Sequence, residues 1–346
     1  MRILKPDKIF NKDKVKKILL IRIDRLGDLI LTTPAIKAVR NEFKQAQVHL
    51  LVNEYAQDLV VNNPNIDRLL IYKKNLKLEE GYDLAVCFHR GYLPNKIAFK
   101  SQAVWRVGFS GAGGSFFLTH VLFDDRLKRA RHEVEFSLEA AQIIGADLKD
   151  KKDKKLEISI TQAGEEFADK FYQDNKISRD DLVIIMHPGA RQEYIRWKKQ
   201  GFAAVADELI SQYQAKVIMT GSKSEQALLL QIKNLMKYPA IITPGIKLTE
   251  LVSIMDRGNL YIGNITGPMH IACALDLPVV AITGMTGSLD DTRYWGPRCS
   301  DFEIVSKDMG CKKCVPGDCK TFECIQSISV EDVMDATLRI IKRHAA

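Results

Sequence analysis

The chain has 346 residues, 46% hydrophobic and 27% charged, with a formal charge of +8, which is enough for two domains that each bury a core. Three function classes are set aside. No apolar run approaches the roughly 18 residues of a membrane span, the basic first 22 residues lack the apolar core of a secretory signal, and no zinc-finger, RNP-type or basic-zipper pattern marks a nucleic-acid partner. The expected setting is cytoplasmic. The positive field, with local clusters at Arg126, Lys128, Arg129 and Arg131 and over 149–155, suits an acidic partner or an anionic membrane face; a lysine-rich background explains it equally well.

In chain order, KKILLIRI (16–23) reads as a fully buried strand that ends at Asp24-Arg25-Leu26-Gly27-Asp28. The helical run behind it has Leu29, Ala35, Val39 and Phe43 on one face. Strands follow at 48–52, 68–72, 83–88 and 104–109, with short helices between. Near-continuous apolar strands alternating with helices predict a parallel sheet covered on both faces. The glycine-rich GAGGSFFLTH stretch after Phe109 leads into FFLTHVLF and not into a helix, so it is no dinucleotide fingerprint. A helix carrying Val134, Leu138, Ala141 and Ile144 then closes at Gly145, and the run KDKKDKK reads as a solvated connection.

The second half repeats the alternation, with strands at 182–189, 216–221, 240–245, 259–264 and 278–283 and helices at 199–212, 223–236, 248–257 and 267–275. A last helix runs from a capping Ser329 to Arg343. The expected class is α/β: two Rossmann-like, doubly wound parallel-sheet domains facing a cleft at the carboxyl ends of their strands.

Within YIGNITGPMH (261–270) a strand breaks at Gly263 and a helix opens with Pro268 in its first turn, where a missing N–H costs nothing. The free N–H groups and positive end of such a helix suit a phosphate. Thr266, Gly267 and, one turn in, His270 could face that ligand; a plain strand-to-helix turn with a Thr or Asn cap fits equally. Cys311, Cys314, Cys319 and Cys324 stand as C-x2-C-x4-C-x4-C. That spacing is open to two readings, a structural zinc site or a loop of reduced thiols packed with Val315, Pro316 and Phe322.

Taken together, RIDRLGDLILTTPAIKAVR, YDLAVCFHR, WRVGF, RHEVEFSLEAAQIIG, HPGA, GSKSE, KLTELVSIM and GNITGPMHIACALDLPVVAITG resemble the heptosyltransferase family. That family consists of inverting transferases that move heptose from ADP-heptose to the lipopolysaccharide inner core. The resemblance runs through nearly the whole chain in order. It implies a GT-B fold: an acceptor domain over 1–155, a linker and helix over 156–180, a nucleotide-sugar domain over 181–326 and a C-terminal helix over 327–346. It also implies that Asp28 is the general base. Read from the residues alone, Asp28 is either a carboxylate at a strand end or a helix N-cap.

On the donor side the resemblance implies phosphate contacts from Thr266, Gly267 and His270, and backbone contacts from Gly189 and Ala190. Glu225 would hold the ribose and Ile246 would wall the adenine, although an exposed helix residue and a core residue are the plain alternatives. Two positions depart from the family pattern: Ile195 stands in place of a lysine and Ile265 in place of an aspartate. Arg191 or Arg196 would then carry the phosphate charge. Arg25, Arg90, Lys96, Lys100 and Arg106 are candidates for acidic groups of a glycolipid acceptor, while His89 and His132 read as structural. No pair of carboxylates suggests a catalytic metal, so no cofactor is expected in the reaction. The location implied is peripheral, at the inner face of the inner membrane. Two alternatives stay open: another nucleotide-sugar or a non-lipopolysaccharide acceptor, and a non-catalytic binding protein.

Overall fold

The structure is a computed structural model that describes residues 10–79, 81–125, 131–148, 154–284, 292–311, 318–319 and 321–344. The chain divides into two compact units, Met1–Ser159 and Ile160–Ala346. Among the described residues no helix is long and apolar enough to cross a membrane.

The first unit is built from β1 (Lys17–Arg22), α1 (Leu26–Glu42), β2 (Gln47–Val52), β3 (Arg68–Ile71), β4 (Leu84–Cys87), α2 (Tyr92–Lys100), β5 (Trp105–Phe109), β6 (His120–Leu122) and α3 (Glu133–Gln142). The strands form one sheet in the order β3-β2-β1-β4-β5-β6, and every pair is parallel. Burial on both faces explains the unbroken apolar runs: Ile18, Leu19, Leu20 and Ile21 are all fully buried. Helix α1 is buried from Gly27 to Ile36 and again at Ala38 and Val39, because it lies against α3 as well as the sheet, with the Thr32 and Ser137 hydroxyls 3.4 Å apart. Pro34 inside α1 has no N–H for the carbonyl of Ile30, and the Thr33 hydroxyl donates there instead at 2.7 Å.

The second unit contains α4 (Gln162–Asp174), β7 (Val183–His187), α5 (Lys199–Tyr213), β8 (Lys216–Gly221), α6 (Gln226–Leu235), β9 (Ile241–Pro244), α7 (Leu248–Asp256), β10 (Leu260–Asn264), α8 (Gly267–Ala274), β11 (Val279–Ile282), α9 (Thr292–Trp295), β12 (Phe302–Val305), α10 (Glu323–Gln326) and α11 (Val330–His344). Its sheet has the order β12-β11-β10-β7-β8-β9, again with every pair parallel. The core gathers Ile184, Met186, Trp197, Phe202, Val217 and Ile262. Trp197 Nε1 donates to the carbonyl of Ile328 at 3.0 Å, which fastens the C-terminal segment to that core.

Helix α4 belongs to this unit. Its Gly164 comes so close to α7 that an added Cβ would stand 2.5 Å from Ser253 Oγ and 2.7 Å from the Thr249 carbonyl, and the Tyr172 hydroxyl donates to the carbonyl of Ile254 at 3.0 Å. Helix α11 opens as expected on Ser329, whose hydroxyl accepts from Asp332 N at 3.0 Å, and near its end Arg343 pairs with Asp301 and Glu303.

In both units the chain winds outward from its first strand, returns, and continues on the other side. The reversal lies between β1 and β4 in the first unit and between β7 and β10 in the second. Open α/β sheets leave a crevice at the carboxyl ends of the strands where this reversal occurs.

Candidate active site

At the reversal in the first unit, β1 ends on Arg22, which is 2% exposed. Its Nη1 donates to the Phe88 carbonyl beyond β4 at 2.6 Å. Its Nη2 donates to Asp28 Oδ1 at 3.0 Å and to Glu133 Oε1 at 3.2 Å. Its Nε stands 2.9 Å from Asp24 Oδ1 without the alignment of a hydrogen bond. One guanidinium therefore serves three carboxylates. Burial works against its charge, but Asp24, Asp28 and Glu133 outweigh burial and raise its pKa, so Arg22 stays cationic. Burial pushes Asp24 up to about 7; Arg22 pulls it down, and Asp28 and Glu133 push it further up.

Asp28 lies in the first turn of α1 and is buried. The N-cap alternative for Asp28 does not hold, because Arg25 occupies that position and the carboxylate is turned onto Arg22. Its Oδ2 has no hydrogen-bond partner among the described residues. The segment entering α1 is held from the side: Asn53 Nδ2 donates to the Asp24 carbonyl at 3.0 Å and the Tyr55 hydroxyl donates to the same oxygen at 2.5 Å.

The basic candidates of this unit have different surroundings. Arg25 and Lys100 are exposed. Arg90 Nη1 donates to Asp124 Oδ2 at 2.9 Å, and Lys96 Nζ lies 5.5 Å from the ring centre of Tyr92. Arg106 donates to the carbonyls of Phe117 and Ala103 at 2.7 and 2.6 Å, which pins the glycine-rich loop to β5. His132 is structural, as expected: it precedes α3 and its Nδ1 accepts from Val134 N. Of the other basic cluster residues, Arg126, Lys128 and Arg129 lie outside the described residues.

At the reversal in the second unit, β7 ends on His187 and β10 on Asn264. Asn264 is fully buried. Its Oδ1 accepts from Trp197 N at 3.0 Å, and its Nδ2 donates to the carbonyls of Pro188 and Gly189 at 3.0 and 3.4 Å. This side chain ties three segments together: the turn holding Ile265, Thr266 and Gly267, the turn holding Gly189 and Ala190, and the segment between the 3-10 turn Glu193–Ile195 and α5. The backbone N–H groups of Gly189, Ala190, Thr266 and Gly267 have no partner among the described residues. Two of them stand beyond β7 and two at the start of α8, and Pro268 falls in the first turn as expected.

Glu225 reaches this place from the end of β8. Its Oε2 accepts from the backbone N and hydroxyl of Ser222, both at 2.8 Å, so it is anchored and does not hang free on a helix. A Cβ on Gly189 would lie 2.1 Å from Glu225 Oε1, so any larger residue there would have to push the Glu225 carboxylate aside. Ile246 is half-buried, next to Gly245, whose N–H donates to the Gly221 carbonyl at 2.8 Å. Arg196 Nη2 donates to the carbonyl of Ala190 at 2.7 Å, and Arg191 is exposed.

Two buried histidines belong to the same elements, His187 at the end of β7 and His270 in α8. His187 Nδ1 sits 3.0 Å from Thr220 Oγ1; burial lowers its pKa, against an upward pull from Glu225. His270, one turn into α8, is 4% exposed, and its Nδ1 has no hydrogen-bond partner among the described residues. Burial lowers it to about 4, so it is a neutral ring. The zinc reading falls in part on Cys314, which lies outside the described residues. Cys311 and Cys319 are exposed, and among the described residues no three His, Cys, Asp or Glu side chains gather around one point.

Residues 75–324 match the profile of glycosyltransferase family 9 (heptosyltransferase). Over 327 residues the chain is 24% identical to a lipooligosaccharide heptosyltransferase 2 of Campylobacter jejuni, covering 90% of this chain and 94% of that one. The fold is similar to a glycosyltransferase family 9 structure from Veillonella parvula, at TM-score 0.81 and 23% identity over 95% of this chain and 97% of that one. It is also similar to ADP-heptose lps heptosyltransferase II of E. coli, at TM-score 0.77 and 17% identity over 95% and 100%.

Proposed function

The chain belongs to glycosyltransferase family 9, the heptosyltransferases, and from that premise we propose that it moves heptose from ADP-heptose to an acceptor sugar of the lipopolysaccharide inner core, with inversion. The oxygen of the acceptor hydroxyl bonds to the anomeric carbon as the bond from that carbon to the β-phosphate oxygen breaks. The proton passes to Asp28, and the electron pair leaves with ADP. The observation that carries this reading is the state of Asp28: Oδ1 is fixed on Arg22 while Oδ2 is left to accept a proton from a ligand.

For the leaving group, the N–H groups of Gly189, Ala190, Thr266 and Gly267 form the proposed diphosphate cradle, with Arg191 and Arg196 supplying positive charge. Glu225 is assigned to the ribose and Ile246 to the adenine. His270, neutral and buried one turn into α8, is assigned a polar contact to the diphosphate and no charge. Arg25, Arg90, Lys96, Lys100 and Arg106 are assigned to acidic groups of the acceptor. The reaction is proposed to need no cofactor, and the enzyme to work in the cytoplasm at the inner face of the inner membrane. Structural zinc at the four cysteines stays a separate proposal, which elemental analysis of protein prepared without chelator decides.

A second reading, another nucleotide-sugar donor, draws on Ile195 and Ile265, both half-buried on segments joined through Asn264. Calorimetry with ADP, UDP, GDP, CDP and ADP-heptose separates the two. Selective binding of ADP and ADP-heptose supports the first; preference for another nucleotide transfers the proposal to the second. With the selected donor, Asp28→Asn should lower turnover at least about 100-fold with nucleotide affinity unchanged. Turnover like that of the native chain removes Asp28 as the base.

A further inference from the structure

Helix α2 and the loop after β5 form an aromatic surface whose apolar side chains have no part in the proposed transfer, beside the cations assigned above to acidic groups of the acceptor. The buried face of α2 carries Pro94, Asn95, Ile97 and Ala98. Its other face presents Tyr92 (49% exposed), Leu93 (42%) and Phe99 (52%). Gly114 lets the loop lie against this helix: its φ is +75°, and a Cβ there would meet Tyr92 Cα at 2.9 Å. The loop then adds Phe116, 76% exposed, and Phe117, whose ring centre lies 4.4 to 5.5 Å from those of Phe116, Phe99 and Tyr92.

The charged side chains carried by α2, β5 and the Ser115–Phe117 turn are all basic, and the side chain of Asp124, which packs on Gly111, is 5% exposed and paired with Arg90. From Arg90 to Leu118 the sequence contains no Asp or Glu. Lys96 Nζ lies 5.5 Å from the Tyr92 ring centre and Arg106 Cζ 5.6 Å from that of Phe99, and Lys100 is exposed beside Phe99. Cations set among aromatic tips match the two layers of a bilayer surface, with anionic headgroups for the former and the headgroup–acyl boundary for the latter.

We propose that α2 and the Ser115–Phe117 turn are the surface by which this protein docks on a bilayer of anionic phospholipid, with Leu93 and Phe116 entering the interface and Lys96, Lys100 and Arg106 meeting the headgroups. This deepens the peripheral location proposed above and rests on it, but its test reads lipid binding and needs no sugar transfer.

The full chain is sedimented with vesicles of phosphatidylethanolamine and phosphatidylglycerol, and with vesicles of phosphatidylcholine alone. Binding is expected to the first kind, weakened by added salt as screening shortens the reach of the charges. Leu93→Ser with Phe116→Ser should lower that binding at least about tenfold by keeping two large apolar side chains out of the interface. Lys100→Glu should lower it at least about fivefold. Both apolar positions are exposed, so the thermal midpoint and the affinity for ADP should stay unchanged. In a second measurement, Phe116→Trp fluorescence should be quenched by brominated lipid. Undiminished binding of the double variant, or absence of binding by the native chain, overturns the proposal. So does self-association of the native chain that the double variant abolishes, since a second copy then covers this face. Failure of sugar transfer with lipid binding intact would sink the transferase reading and leave this surface standing.

Discussion

Asp24→Asn should make the first unit more stable near pH 8. Burial pushes the Asp24 carboxyl from its ordinary 3.8 up to about 7, with Asp28 and Glu133 adding to the effect and Arg22 opposing it. Between about pH 4 and 7 the folded chain holds a proton here that the unfolded chain has released. Stability therefore falls as pH rises through that window and is level above it. At about 1.4 kcal/mol for each tenfold change in proton affinity, the full difference comes to about 4 kcal/mol. Asparagine matches the neutral acid in shape and has no proton to lose, so it should recover a large part of that sum at pH 8 and little near pH 4.5. Hydrogen exchange of β1 and β4 peptides across a urea series reads the first unit by itself. If the variant is less stable than the native chain at pH 8, or if the two differ equally at both pH values, Asp24 is ionised and its pairing with Arg22 is net stabilising. The reasoning would then be refuted.

His270 should act with the opposite sign in the second unit. Burial lowers it from 6.5 to about 4, so the native chain loses stability as pH falls through that interval, by up to about 3 kcal/mol. His270→Gln should flatten the profile of β10 peptides, and an unaltered profile counts against a buried neutral ring. Gly189→Ala places a Cβ 2.1 Å from Glu225 Oε1 and must displace that carboxylate or the turn; ADP should bind about tenfold more weakly by calorimetry, and an unchanged Kd would separate Glu225 from the nucleotide. Asn264→Ala removes three hydrogen bonds at a fully buried position. At about 1 kcal/mol each, the thermal midpoint should drop by about 5 °C or more; a drop of under about 2 °C would mean the two turns hold without it.

Much of the fold could be read from the sequence because parallel strands covered on both faces leave unbroken apolar runs, and ILLI, LAVC and VIIM are all buried. What escaped has local physical causes. Strand β6 is three residues long and follows a glycine-rich loop, too short to show an alternation. Between β2 and β3 the chain makes only a 3-10 turn, Glu54–Leu59. The single-face reading of α1 fell short because the helix is covered by both the sheet and α3. The candidate site was legible where its motif residues lie close in sequence, as at Thr266 and Gly267 or at Asp28. Its supports were not: Glu133 meets Arg22 across 111 residues and Asn264 meets Trp197 across 67. An arginine standing inside the apolar run ILLIRI was the one signal, since a buried guanidinium requires carboxylate company.

Helix α4 has a practical bearing on any attempt to divide the protein. A fragment that starts at β7 begins where the apolar strand pattern resumes, but it strips α7 of the helix seated on Ser253 and Ile254 and leaves that side wet. Cutting at Ile160 keeps Thr161 as the cap of α4, its hydroxyl accepting from Gly164 N at 3.2 Å, and keeps Gly164, Ala168 and Tyr172 as one buried stripe. Expressed alone, the longer piece should give a sharp unfolding transition and the shorter one a broad transition or precipitate. The natural seam for separating the second unit from the rest of the chain thus lies about twenty residues ahead of the first strand of its sheet.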